Sequence, residues 1–198
     1  VFSSFQDLDQ AVSRWDFVPS NLQRKLYSKK GVDRQRLPWT RCFSLSKNED
    51  VFIPANMAYF RSFRENSDFS YTTGLASGNT LEEAIFHGLC EVIERHLQEV
   101  VYRNGIKTPL IALDSIKDAG LKKMIGSFTA QGIKLHVNHL SLDFGIPAFG
   151  VFGFDEAPPY YDSYTFYSAV GVHTDKVTAL TRALTELAQS RASTLYAL

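Results

Sequence analysis

Two stretches of this chain repeat one pattern of small, apolar and polar residues, and the repeat limits the fold more than any other feature. Aligning Glu91 with Glu186, a shift of 186 − 91 = 95 residues, places residues 74–80 against residues 169–175. The matched positions that follow are Ala84 with Ala179, Ile85 with Leu180, His87 with Arg182, Gly88 with Ala183, Leu89 with Leu184 and Glu94 with Gln189. Similarity over this length indicates a duplicated unit. Each copy is predicted to be a short strand, a turn of small residues and a capped helix.

The first helix of the repeat carries a clear start and end. Asn79 or Thr80 can cap it, and the glutamates that follow load its first turn with negative charge. Its apolar residues recur at helical spacing: Ala84, Leu89, Val92, Ile93, Leu97 and Val100. We expect the helix to run to about Tyr102, because Asn104-Gly105 is typical of a helix end.

The polar side of this helix holds an acidic stripe. His87, Glu91, Glu94 and Gln98 follow one another at steps of four, three and four, so they share one face. Arg95 is the fixed cation of the predicted helix, and we expect it to be rotated away from the carboxylates. The stripe therefore lacks a matching charge and is predicted to receive a cation from elsewhere.

The second helix repeats this stripe as Arg182, Glu186 and Gln189, at i, i+4 and i+7. If the duplication is real, the two helices should be neighbours related by an approximate two-fold axis. Their stripes should then open onto one shared cleft.

Composition restricts the class of protein. The chain has 198 residues, 44% of them hydrophobic, and a formal net charge of +0, so it can bury the core of one ordinary domain. Neutrality argues against general binding to nucleic acid or to an anionic membrane. Two cysteines, with no zinc or disulfide spacing, favour a reducing cytoplasm. We expect a lead-in at residues 1–38, then one domain at 39–198.

Strands and helices are mixed without a βαβ rhythm, so the predicted fold class is α+β, a mixed α/β arrangement. Helices are expected at Ser115–Gln131 and Asp175–Leu198 besides the first helix of the repeat. The predicted strands are Trp39–Leu45, Asp50–Pro54, Thr108–Leu113, Ile133–Leu140, Pro147–Phe154 and Phe166–Val172.

The two stripes together suggest a nucleoside triphosphate site without a P-loop. Oxygen donors of the kind that Mg²⁺ prefers occur in both stripes, and the nearby arginines have planar forks that fit phosphates. The oxygen donors are Glu91, Glu94, Glu186 and Gln189, and the arginines are Arg95, Arg182 and Arg191. For any single glutamate a surface salt bridge is the better interpretation, but the duplicated set favours the ligand site.

Four further polar residues have two interpretations each. His87 can contact a ligand or be a satisfied structural histidine, and His173 can bind a ligand or cap its own turn. Ser77 and Asn79 are placed for a base or ribose contact, and plain capping explains them equally well.

Two segments resemble the signatures of the YcaO family. Residues 77–84 followed by Glu91-Val-Ile-Glu94-Arg95 resemble the family's hallmark helix, and residues 183–191, preceded by the turn Gly171-Val-His173, resemble its second signature. The resemblance covers most of residues 39–198. It implies a fold in which a pseudo-duplicated strand-turn-helix unit surrounds a central nucleotide site and acidic helices hold Mg²⁺–ATP. Such enzymes phosphorylate a peptide amide oxygen, and an azoline or a thioamide then forms.

The resemblance also implies roles for individual residues. Glu91, Glu94, Glu186 and Gln189 would lie on the magnesium or phosphate side, with Ser77, Asn79, His173 and Arg182 near the nucleotide, and Arg95 and Arg191 as structural or phosphate partners. No catalytic residue is assigned. The chain departs from the family pattern at two positions. It has His87 where many members have serine. It has Cys42 where related cyclodehydratases have glycine after the early Trp-x-Arg, and this difference leaves the role of Arg41 open.

The partners implied are a peptide or protein substrate and a substrate-recruiting or sulfur-donating protein, and the resemblance leaves room for a homodimer. Two competing functions are a non-catalytic peptide- or partner-binding module and a metal-dependent hydrolase. Because the family's C-terminal part is missing, we interpret the chain as a fragment and expect the fragment alone to be inactive.

Overall fold

The computed structural model describes residues 2–3, 37–59, 72–156 and 166–196, and the chain divides into two compact units, Val1–Leu75 and Ala76–Leu198. Most of the predicted lead-in lies outside the described residues. The boundary predicted after residue 38 falls at the second residue of a strand, Leu37–Ser44, and stays a prediction. None of the helices in the described part of the chain is long and apolar enough to span a membrane.

The first unit contains an antiparallel sheet in the order β1-β2-β3. Its strands are β1 Phe2–Ser3, β2 Leu37–Ser44 and β3 Glu49–Pro54, and the short helix α1, Ala55–Ala58, follows. The strands predicted at Trp39–Leu45 and Asp50–Pro54 are confirmed as the antiparallel pair β2 and β3, and a hairpin turn joins them: Asn48 has φ 56°, and its N–H donates to the carbonyl of Ser44 at 2.8 Å. Arg41, whose role the sequence left open, forms a salt bridge with Asp50 across the hairpin.

The second unit contains an antiparallel sheet in the order β4-β5-β6-β7, which confirms the α+β class. Its helices are α2 Leu81–Asn104, α3 Ala119–Thr129 and α4 Lys176–Tyr196. Its strands are β4 Leu110–Ile111, β5 Ile133–His139, β6 Ala148–Asp155 and β7 Phe166–Val172, and 3₁₀ turns lie at Leu113–Ser115 and Leu142–Phe144.

Two predicted elements of this unit are shorter in the structure. The strand expected at Thr108–Leu113 pairs at two residues, Leu110–Ile111, before the chain turns. The helix expected from Ser115 begins at Ala119, because the Asp118 side chain accepts the N–H of Leu121 at 2.9 Å and caps it there.

Helices cover both faces of this sheet. One face packs against α3 and α4 through a core that includes Val137, Val151, Leu184 and Leu187, each at most 1% exposed. The other face packs against α2 through a second core: Cys90, Leu97, Val101, Leu140, Ala148, Val170 and Val172. Side chains of this size contribute about 1.5–3 kcal/mol each when fully buried, so apolar packing sets the positions of α2 and α4.

α4 approaches β7 unusually closely because the contact is made by small residues. A Cβ atom on Gly171 would lie 2.3 Å from the carbonyl oxygen of Ala179 and 2.6 Å from the backbone nitrogen of Ala183. No residue with a side chain fits there unless the strand and the helix move apart.

The helix starts of the two repeats agree. Thr80 accepts the N–H of Glu83 at 3.2 Å, and Asp175 accepts the N–H of Thr178 at 2.8 Å, so the caps stand at positions related by 175 − 80 = 95. The strand predicted before α2 is wrong within the described residues 72–76. There Gly74 has φ 85°, and Leu75 donates to the carbonyl of Thr72 at 2.9 Å, which makes a turn instead.

The apolar side of α2 also differs from the prediction. Leu89 is 52% exposed and Val92 is 45% exposed. The stripe that packs on the sheet is Phe86, Cys90, Ile93, Leu97 and Val101. α2 therefore has two neighbouring apolar stripes, and the sheet covers one of them.

Candidate functional site

The acidic stripe of α2 lies partly buried beside a cation of its own helix. Glu91 and Glu94 are both half-buried, and Nε of Arg95 lies 3.7 Å from Oε1 of Glu91. The prediction that Arg95 is rotated away from the carboxylates is therefore wrong. Arg95 follows Glu91 by four residues, which places it one turn further along the same side of the helix.

α4 adds Arg182 and Glu186 to this stripe. Burial, together with the negative charges of Glu186 and Glu91, raises the pKa of Glu94 to about 7, although Arg95 and Arg182 lower it. The pKa of Glu186 is raised as well, mainly by burial, against the lowering effect of Arg95. The five side chains therefore form one electrostatic cluster, the acidic cluster: Glu91, Glu94, Arg95, Arg182 and Glu186.

The two helices that carry the cluster share a contact with one strand, β7. α2 and α4 pack on opposite faces of the sheet, and both contact β7, the last strand in the sheet order. Side chains from helices on opposite faces can meet only beyond an edge of the sheet or beyond the ends of its strands. The strand that leads into α4 thus brings the two stripes together, and the predicted two-fold relation between the helices stays a prediction.

Cys90 lies within reach of the same charges, which the sequence did not predict. Cys90 is 4% exposed, and burial raises the pKa of its thiol, which Arg182 lowers and Glu94 raises. Its position one helical turn before Glu94 is the signal that identifies it as a neighbour of the cluster.

The residues before α2 are tied to its first turns. Nδ1 of His87 lies 3.0 Å from the carbonyl oxygen of Ser77, and the Asn79 N–H donates to Oε2 of Glu83 at 2.6 Å. A Cβ on Gly78 would lie 2.5 Å from the backbone nitrogen of Ala84, so the segment runs directly over the helix. Structural contacts thus account for Ser77, Asn79 and His87, and nucleotide contacts by Ser77 and Asn79 stay predictions.

His173 connects the turn before α4 to α2. Its Nδ1 accepts the N–H of Asp175 at 2.9 Å, so it does cap its own turn. Its ring meets Phe86 edge-on, with ring centres 5.1 Å apart. Phe86, which the sequence did not single out, therefore holds the starts of the two repeat helices near each other.

The last two predicted site residues of α4, Gln189 and Arg191, lie on different sides of the helix. Gln189 is exposed, at the end of the polar stripe. Arg191 instead donates twice to Asp155, the residue that ends β6. The acidic cluster and Arg191 thus lie in separate places.

The cluster is not a closed metal site of protein ligands. Within residues 37–59, 72–156 and 166–196, no three His, Cys, Asp or Glu side chains are arranged to hold a metal ion. An ion bound at Glu94 and Glu186 would need oxygen from water or from a ligand. This is how Mg²⁺ is usually bound, with one or two carboxylates plus waters and phosphate oxygens.

Comparisons with known proteins identify the family. The family model described as YcaO cyclodehydratase, ATP- and Mg²⁺-binding, matches residues 1–197. An uncharacterized protein of Methanothermobacter thermautotrophicus is 34% identical over 173 residues, 82% of this chain and 43% of that protein. The ribosomal protein S12 methylthiotransferase accessory factor YcaO of Escherichia coli is 30% identical over 156 residues, 78% of this chain and 24% of that protein.

A solved structure agrees with these matches. The heterocyclase TruD superposes with a TM-score of 0.63 at 30% identity, over 78% of this chain and 22% of that one. The chain therefore belongs to the YcaO family. It spans less than half the length of the relatives that it matches.

Proposed function

We propose that the protein binds Mg²⁺–ATP at the acidic cluster and activates a peptide backbone amide by O-phosphorylation, as a step toward an azoline or a thioamide. The observation that carries the proposal is the environment of Glu94. Burial and the negative charges of Glu186 and Glu91 raise its pKa to about 7, so Arg95 and Arg182 do not fully compensate its ionised form. A bound cation would supply that charge.

The residues of the cluster fit this ion. Glu94 and Glu186 offer hard oxygen ligands from two helices, and these two and Glu91 repel one another when ionised. Arg95 and Arg182 offset part of the negative charge without saturating it, since the pKa of Glu94 remains raised. The missing ligands would be water and phosphate oxygens, in agreement with the family's ATP- and Mg²⁺-binding model.

Each residue then has a separate role. Glu94 and Glu186 would hold the ion, Glu91 would hold Arg95 through their ion pair, and Arg182 would orient a phosphate oxygen. Gln189, exposed at the end of the stripe, would contribute an amide oxygen. Bound Mg²⁺–ATP would supply the phosphoryl group that converts an amide oxygen into a leaving group. Phosphoryl transfer needs mainly alignment and charge neutralisation, which two rigid helices provide.

Calorimetry on the full-length protein tests the proposal. We expect Glu91→Ala and Glu186→Ala to weaken Mg²⁺–ATP binding by about tenfold or more, because loss of a charged contact costs about 1.5–3 kcal/mol. Glu99→Ala is the matched control, since Glu99 lies on the same helix and pairs with Arg103 at the exposed surface. Equal affinity in all four proteins would contradict the proposal. Mass spectrometry of host peptides then separates the products: loss of water indicates an azoline, and exchange of oxygen for sulfur indicates a thioamide.

A non-catalytic module that binds a peptide or a partner protein is the second candidate. It is favoured by the similarity to an accessory factor and by the outward apolar stripe of α2 at Leu89 and Val92. Retained peptide binding without any nucleotide binding would support this candidate over the first.

The cellular setting proposed is the cytoplasm, because both cysteines, Cys42 and Cys90, are unpaired. There the protein would act on a peptide or protein substrate, with a recruiting or sulfur-donating partner.

A further inference from the structure

A buried ion pair attaches the end of α4 to the sheet. The side chain of Asp155 is 0% exposed, and its Oδ2 accepts from Nε of Arg191 at 3.0 Å and from Nη2 at 2.8 Å. The Arg191 side chain is itself 20% exposed. A buried carboxylate is costly unless it is paired and hydrogen-bonded, so this contact is strongly constrained.

Arg191 lies on the side of α4 that faces the sheet. Leu180, Leu184 and Leu187 precede it by eleven, seven and four residues, and all three are buried in the core under the helix. A helix turns by about 100° per residue, so Arg191 is about 200° around the axis from Gln189. Its guanidinium therefore leaves the helix on the side opposite the polar stripe.

The other contacts that α4 makes with the sheet do not define the rotation of the helix as sharply. Between α4 and the described strands of the sheet, these contacts are made by apolar side chains and by small residues such as Ala183 over Gly171. Apolar contact is non-directional, so it resists separation of helix and sheet more than it resists rotation. Two N–H donors aimed at one carboxylate oxygen are directional, and they act at the C-terminal half of the helix.

We propose that Arg191 is a positioning residue: its ion pair with Asp155 fixes the rotation of α4 and thereby holds Glu186 against Glu94. This inference rests on the proposed Mg²⁺–ATP site. In this role Arg191 does not contact a phosphate. It affects ATP binding through the position of Glu186.

The two roles of Arg191 predict opposite effects of Asp155→Asn. A phosphate-binding arginine would be released by this change, and ATP affinity would stay the same or increase. A positioning arginine would lose its anchor, and Asp155→Asn would weaken ATP binding to the same degree as Arg191→Met. Asp155 itself, a buried carboxylate, offers a phosphate no donor.

The test is Mg²⁺–ATP affinity by calorimetry in the full-length protein, with each change made alone and in a Glu186→Gln background. We expect Arg191→Met and Asp155→Asn each to weaken binding by about tenfold, within the range of coupling between residues that share partners. In the Glu186→Gln background the same changes should alter affinity less than about twofold. Arg103→Met, which removes an exposed arginine, is the control and should have no effect in either background.

The outcomes separate the two proposals. An undiminished tenfold loss in the Glu186→Gln background, or unchanged affinity in Asp155→Asn, would overturn the positioning role and leave the ATP site standing. Absence of Mg²⁺–ATP binding in the wild type would overturn the proposed function itself. Should Arg191→Met fail to fold, Arg191→Lys takes its place: it keeps the charge but loses the two-donor fork, and it should show a smaller loss in the same pattern.

Discussion

Replacing Glu94 by glutamine should stabilise the protein without ligand and remove its ability to bind Mg²⁺–ATP. Burial and the charges of Glu186 and Glu91 raise the pKa of Glu94 from 4.5 to about 7. Below about pH 4.5 this carboxyl is protonated in both the folded and the unfolded state. Between about pH 4.5 and 7 the folded state binds more protons, so the free energy of unfolding falls as the pH rises. Above about pH 7 this group adds no further pH dependence.

The magnitude follows from the same values. Each pH unit between the two pKa values corresponds to about 1.36 kcal/mol, which gives an upper bound of about 3 kcal/mol. Glu94 is only half-buried, and solvent screening reduces the expected effect to about 1–2 kcal/mol. Glu94→Gln removes the ionised form, so at pH 8 the variant should be more stable than the wild type by about this amount.

Urea unfolding of the ligand-free protein at pH 5 and pH 8 measures the effect, with Glu99→Gln as the exposed control on the same helix. Adding Mg²⁺–ATP should make the wild type more stable than the variant. Only the wild type binds the ligand, and binding adds about 2.7 kcal/mol to its free energy of unfolding at a ligand concentration of 100 Kd. Our reasoning would be refuted if the variant and the wild type lost stability equally between pH 5 and pH 8.

Two further predictions concern the fold. Gly171→Ala should destabilise the protein by about 3 kcal/mol or more in urea unfolding, because its Cβ would lie 2.3 Å from a backbone oxygen of α4. Gly126→Ala, in α3 with open space around it, should instead stabilise the protein by about 0.5–1 kcal/mol. If both glycine replacements changed the free energy of unfolding in the same direction, the packing argument would be contradicted. Thr80→Ala and Asp175→Ala should each cost about 1 kcal/mol, because each removes the cap of one repeat helix; Thr174→Ala, at a neighbouring exposed residue, should cost little.

Local features of the sequence were sufficient for most elements. The strand Phe166–Val172 was predicted with its observed bounds, α2 begins next to its predicted cap, and α4 begins one residue after its predicted start at Asp175. These features depend on residues a few positions apart, whose spacing and capping chemistry can be read directly. The acidic stripe was predictable for the same reason, since helical spacing alone places Glu91 and Glu94 on one face.

Tertiary structure determined which apolar residues are buried and which charged residues interact. α2 has two apolar stripes, and only the packing of the sheet shows that Cys90 and Leu97 are buried while Leu89 stays exposed. The pKa of Glu94 depends on Glu186, which is distant in sequence and comes close only because both helices pack beside β7. Arg191 was predicted to be a structural or a phosphate partner, and only the structure shows its partner, a carboxylate 36 residues earlier. The burial of a side chain and its electrostatic interactions with distant charges depend on contacts between segments far apart in sequence. The spacing of residues along one helix therefore cannot predict them.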